Sequence, residues 1–167
     1  MDVELKKYIN KTIVFCPDGV DESGEDILIK YKTDLWNIMR LKGKIVRMDE
    51  YVQGTEKKIL DAFALGGIDI IFAKQRLNEG IDIPSARRAV FVASSTSERE
   101  FIQRRGRVLR KASGKKIAEI FDFIVVPPDD LSRTGSSIVN NEINRAMDFA
   151  VTADNYAEIE SVLRKYL

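Results

Sequence analysis

Apolar residues gather in five short runs: "TIVFC" at 12–16, "KIVRM" at 44–48, "IDIIFA" at 68–73, "RAVFVA" at 88–93 and "KIAEIFDFIV" at 116–125. Several are unbroken and rich in Ile, Val and Phe, the pattern of strands covered on both faces, as in a parallel sheet. Between the runs the apolar spacing becomes helical. Residues 25–42 carry Ile27, Leu28, Tyr31, Leu35, Ile38, Met39 and Leu41, and residues 56–65 carry Ile59, Leu60, Phe63 and Ala64 ahead of the stop signal Gly66-Gly67. A third helix is predicted over 98–110, opened by a capping box of Ser95 with Glu98 or Ser97 with Glu100. Strand alternating with helix predicts an α/β domain, a three-layer doubly wound parallel sheet, whose ligands sit beyond the carboxyl ends of the strands.

The pattern changes after residue 126. "VPPDDLSRTGSS" is a turn-rich connector. Residues 138–151 then set Ile143, Met147, Ala150 and Val151 at helical spacing, and a second stretch puts Tyr156, Ile159, Leu163 and Tyr166 on one face. Asn155 with Glu158 would make a capping box between the two. The expected organisation is an α/β domain over 1–126 and a connector with an appended helical segment over 127–167. That segment is either an interaction arm or a helix pair packed on the domain's own surface.

Composition narrows the chemistry. The 167 residues are 44% apolar, enough for one domain with a proper core. Lys plus Arg number 27 against 26 Asp plus Glu, so any basic surface must be local. No apolar run approaches the roughly 20 residues of a membrane span, and "MDVELKKYIN" lacks a signal-peptide core. A cytoplasmic domain with no membrane partner is expected. The one cysteine, Cys16, excludes an internal disulfide, and the absence of histidine excludes His-based triads and imidazole general bases.

Against that balance, "EFIQRRGRVLR" places Arg104, Arg105, Arg107 and Arg110 within eleven residues. On a helix turning about 100° per residue, Gln103, Gly106, Arg107 and Arg110 share one face, and Phe101, Ile102, Val108 and Leu109 take the other. Gly106 costs helix stability, about 1 kcal/mol relative to alanine, and permits close approach to the backbone. Two guanidiniums and an amide on one face suit a polyphosphate, because guanidinium keeps its charge and bonds phosphate oxygens in pairs. A nucleic-acid backbone or an ordinary solvated basic face would fit the same spacing. A second constellation, "FAKQRLNEGIDIPSA" at 72–86, runs from an apolar strand into a loop holding Gly80, Asp82 and Pro84. It reads either as a ligand-bearing strand end or as a plain turn with a helix-breaking proline.

Together these segments resemble a known family. "FIQRRGRVLR" resembles motif VI of superfamily 2 helicases, with its Q-R-x-G-R-x-x-R pattern, and "LNEGIDIP" resembles their motif V. "KTIVFCPD" is similar to motif IV, and "GTEKKILDAF" to the segment whose helix leads into the motif V strand. The likeness covers roughly residues 10–125, the whole of the second RecA-like motor domain, and is nearest to the branch of DNA-repair and restriction-type motors.

The resemblance implies roles. Arg110 matches the arginine finger that reaches the γ-phosphate across the cleft, Arg107 the neighbouring arginine on the same phosphates, and Gln103 the amide near the reacting water. Gly80 matches the glycine whose backbone lies by the γ-phosphate, and Asp82 the acidic residue near the ribose or motif VI. Lys74 stands where many relatives carry a threonine touching the nucleic-acid backbone; Pro17 and Asp18 match a loop near the nucleic acid. Arg105 departs from the family, and its stem is expected to lie along the apolar flank with its head in water.

A motor of this family also needs a first domain with a P-loop and an acidic box. Neither is in the sequence: "ASGKKIAE" lacks the earlier glycine and the following Ser or Thr, and "MDEYV" falls in a variable stretch. The implied cofactors are ATP and Mg²⁺, the metal held mainly by the missing first domain, and no metal site is expected here. The implied partners are a nucleic acid, DNA by the branch resembled, and that N-terminal domain. Two other classes remain open from the residues: an ATP-independent nucleic-acid binding module, and a RecA-like interaction domain without catalysis.

Overall fold

A computed structural model describes residues 9–52, 54–74, 83, 85–92, 106, 110–124 and 134–166. Five strands form one parallel sheet in the order β2-β3-β1-β4-β5: β1 (Thr12–Cys16), β2 (Met48–Glu50), β3 (Ile70–Lys74), β4 (Arg88–Phe91) and β5 (Glu119–Asp122). β1 is central, with Thr12 against Ile70 and Arg88, and Cys16 against Lys74. All five of its residues are buried, as are the first four of β3, which is why their sequences read as unbroken apolar runs. The other three strands alternate or are half-buried.

Successive side chains go to opposite faces, so each strand feeds two cores. On one face Val14, Cys16, Ile70 and Phe72 meet Leu28, with Leu35 and Met39 packed against them. These last three come from α1 (Ile27–Leu41), which Asp26 caps and which ends at Gly43, a residue at φ +66° whose N–H returns to the Arg40 carbonyl at 2.9 Å. The strand alternation assigns Ile13, Phe15, Ile71 and Phe91 to the other face, and there Phe15 and Phe91 stack at 4.9 Å between centroids. α2 (Glu56–Ala64) buries Ile59 and Phe63. It stops at Gly66, at φ +80°; the N–H of Gly67 then returns to the Ala62 carbonyl at 2.7 Å.

The strand expected at 44–48 starts four residues late, at Met48. Asp69 explains the shift. Its buried carboxylate accepts from the backbone N–H of Arg47 at 3.0 Å and from its guanidinium at 3.1 and 2.9 Å, while the Arg47 carbonyl accepts from the N–H groups of Asp69 and Ile70. The ladder proper begins at Met48 against Ile70. The apolar run marks where Val46 enters the core, not where pairing starts. Likewise β5 is shorter than the run at 116–125, with Ile117 67% exposed.

The chain divides into two compact units, Met1–Phe121 and Asp122–Leu167. The second contains α3 (Thr134–Ala150) and α4 (Tyr156–Leu163), followed by a 3₁₀ turn, Arg164–Tyr166. Ile143, Ala146 and Leu163 form its buried centre, with Ile124, Val139, Met147 and Ile159 around them. Arg145 pairs there with Asp122 at 2.8 Å and Glu142 at 2.9 Å. Asn155 does stand at the N-cap of α4, but its side chain makes no capping bond, so the expected capping box is not formed. Among the described residues no helix is long and apolar enough to cross a membrane.

Candidate functional site

The carboxyl ends of β1 and β3 lie side by side because Cys16 and Lys74 are register partners. Pro17 and Asp18 follow Cys16 directly, so the three expected nucleic-acid residues, Lys74, Pro17 and Asp18, share this edge. Beyond them the chain makes an ordered turn back to α1. The Asp21 carboxylate gathers it, accepting from the Ser23 N–H at 2.8 Å, the Ser23 hydroxyl at 2.6 Å and the Glu25 N–H at 3.1 Å, and it pairs with Lys30. Lys30 first, then Ser23, hold that carboxyl well below the usual range.

At the end of the turn Asp26 divides its carboxylate. One oxygen accepts from the Leu28 N–H at 3.0 Å and so caps α1; the other is bonded by the Lys74 ammonium. Lys74 is the first cause of a lowered Asp26 pKa, ahead of the Leu28 bond. Beneath the pair lies the Cys16 thiol, which burial, and then the Asp26 charge, push up to about 12. Asp26 was not singled out from sequence. Its position just before the apolar "ILI" is the available signal, since Asp is a favoured N-cap. Its partner is 48 residues away, and nothing local announces that.

Arg110 is exposed. Its carbonyl accepts from the Lys115 ammonium at 3.1 Å, and the turn at 112–115 is joined to Arg87, whose guanidinium donates to the Gly114 carbonyl at 3.3 Å. Burial, then the Arg87 charge, lower the Lys115 pKa. Arg110 was expected to group with Gly80, Asp82, Gln103 and Arg107; those four lie outside the described residues, as do Arg104, Arg105 and the capping serines at 95 and 97. Gly106 is described, and it is helical and exposed; a Cβ built there meets nothing within 4 Å.

One other feature sits apart from this edge. An open groove of about 580 Å³ is lined by Lys32, Thr33 and Trp36 of α1 and by Arg47, Met48 and Ile68 at the amino ends of β2 and β3, opposite Lys74. Among the described residues no three carboxylate or thiol side chains converge as metal ligands.

Comparison with known proteins gives the site a context. Residues 2–112 match the family described as "Helicase conserved C-terminal domain". The chain is 38% identical over 55 residues to the DNA 3'-5' translocase XPB2 of Sulfurisphaera tokodaii, a stretch that is 33% of this chain and 12% of that protein. It is 32% identical over 72 residues to the Endoribonuclease Dicer homolog 2b of Oryza sativa subsp. japonica, covering 43% of this chain and 5% of that one. Both relatives are therefore far longer than the region they share with this chain. Among solved structures, the ATP-dependent Type ISP restriction-modification enzyme LlaBIII bound to DNA superposes with a TM-score of 0.55 at 22% identity, over 82% of this chain and 10% of that one. At that identity the likeness is one of fold.

Proposed function

The chain belongs to the helicase conserved C-terminal domain family, and from that premise we propose that it is the second motor domain of an ATP-dependent helicase or translocase whose track is DNA. The observation that carries the reading is the carboxyl edge of the sheet. There the register of β1 and β3 sets Lys74 beside Pro17 and Asp18, in the crevice position where parallel α/β sheets take ligands. In this reading these three residues form part of the track. Arg110 is the arginine finger, with Arg107 on the same phosphates and Gln103 by the attacking water. Gly80 lends backbone to the γ-phosphate side, and Asp82 serves the ribose or the arginine segment.

The chemistry follows from what phosphoryl transfer needs. Charge spreads over the transferring group, and fixed guanidiniums stabilise it without reorganising. Mg²⁺ would neutralise phosphate charge. In this reading the metal and the P-loop belong to a separate first motor domain and the arginines to this one. The working compartment proposed is the cytoplasm, on composition.

The relatives point two ways on the track: one is named for a DNA translocase and the other for an endoribonuclease. The deciding experiment is ATPase of the full-length parent with DNA, with RNA and with neither. Stimulation by DNA is the expected result. Stimulation by RNA alone moves the track to RNA. Nucleic-acid binding without ATPase would favour an ATP-independent binding module, and loss of both would favour an interaction domain.

A further inference from the structure

We propose that Asp26 is a positioning residue that holds Lys74 at the strand edge and releases it to a backbone phosphate when nucleic acid binds. The inference rests on the reading above, in which Lys74 belongs to the track.

The geometry favours an exchange in which the lysine moves and the carboxylate stays. One Asp26 oxygen is committed to the Leu28 N–H at the start of α1, where the helix's unpaired N–H groups and its dipole both favour an anion. Among the described residues Lys74 has no such second tie. It is a compact charge on a flexible four-carbon stem, rooted in a buried strand beside Cys16. The two side chains are 35% and 34% exposed, so a phosphate can reach the ammonium without unburying an ion. A partly exposed pair of this kind contributes little to stability, and one phosphate contact can replace it. A buried pair would not exchange, because removing one partner would leave an isolated charge in low dielectric.

Asp26 thereby sets how much of the Lys74 charge the track can use. Its carboxylate repels an incoming phosphate, and it also has to be released by the lysine. Repulsion acts whether or not Lys74 is present; release happens only when Lys74 is there. The two contributions are separable in a double-mutant cycle.

The test measures affinity of the chain for single-stranded DNA, across salt from about 50 to about 200 mM, for the unsubstituted protein, Asp26→Asn, Lys74→Ala and the double variant. Asparagine is as good an N-cap as aspartate, so α1 keeps its start; thermal unfolding checks that each variant folds. Asp26→Asn is expected to tighten binding. The gain should be about two- to fivefold larger when Lys74 is present than in the Lys74→Ala background, the worth of one partly exposed ion pair given up on binding. Lys74→Ala alone should flatten the salt dependence by slightly less than one phosphate's worth. Equal gains in the two backgrounds would overturn the exchange and leave Asp26 as a plain repelling charge. No gain at all would also overturn it. Failure of the unsubstituted chain to bind DNA with any salt dependence would remove the track reading, and the inference with it.

Discussion

At the scale of single residues, two side chains make opposite demands on charge. Arg110 is exposed and, in the proposed motor, is wanted where negative charge gathers in the transition state. Arginine fingers are worth about 10³ to 10⁵ in turnover, so Arg110→Ala in the complete motor should cut kcat by roughly a thousandfold or more. Arg110→Lys should rescue poorly, since lysine keeps the charge and loses the paired donors. Steady-state ATPase checks both; near-normal turnover with weakened, salt-flattened DNA binding would instead make the arginines readers of a phosphate backbone. Cys16 is the reverse case, fully buried, with burial and the Asp26 charge pushing the thiol up to about 12. The thiolate is the nucleophile, so the native chain should resist alkylation at pH 8 and react at once on unfolding. Mass measurement after timed iodoacetamide treatment would show it, and fast native labelling would contradict the burial.

At the scale of elements, the pair that starts α1 makes an acid-sensitive point. Lys74 lowers the Asp26 pKa, and Lys30 lowers that of Asp21. A carboxyl depressed in the folded state stabilises above its unfolded value, near 4, and that contribution disappears as pH falls through the folded value. Stability of the first unit should therefore drop below about pH 4. Asp26→Asn, which keeps the cap but not the charge, should be less stable than the parent by under about 1 kcal/mol at neutral pH, and the difference should close in acid. Urea titrations from pH 2 to 7 measure it; a constant difference across that range would mean the ion pair contributes nothing. Asp122 has the opposite sign, since burial raises its pKa ahead of the lowering effect of Arg145, and lies in the second unit. The same elements mark what sequence could and could not say. The apolar runs "IVFC" and "IIFA" lie in the central strands, because burial on both faces leaves few polar positions to break a run. Gly66 stopped its helix because it supplies a left-handed turn. The three-residue β2 and the pair of Asp26 with Lys74 were illegible for a common reason. Asp69 sets one register from 22 residues away, and Lys74 answers a cap from 48.

At the scale of the whole molecule, the question is what this chain does by itself. The family match spans residues 2–112, and the segments shared with the two relatives amount to 12% and 5% of those proteins. Hydrolysis of ATP by such motors needs a nucleotide held at both ends: amides, a lysine and a metal ion around the phosphates from one domain, and arginines closing from the other. The sequence carries no P-loop, and the described residues gather no metal ligands. Binding energy that arises only on closure of two domains cannot act on kcat when one domain is absent. The purified chain should therefore show no Mg²⁺-dependent ATPase above background, with or without DNA. It should still bind DNA in a salt-dependent way, because the proposed track residues Lys74, Pro17 and Asp18 meet at the carboxyl edge of this sheet and need no second domain to form it. Adding the first motor domain, in trans or as the full-length parent, should restore turnover, and Arg110→Ala should abolish that restoration. Robust metal-dependent turnover by the chain alone would overturn the division of labour between two domains, and would demand that the phosphates and the metal be held by residues of this sheet.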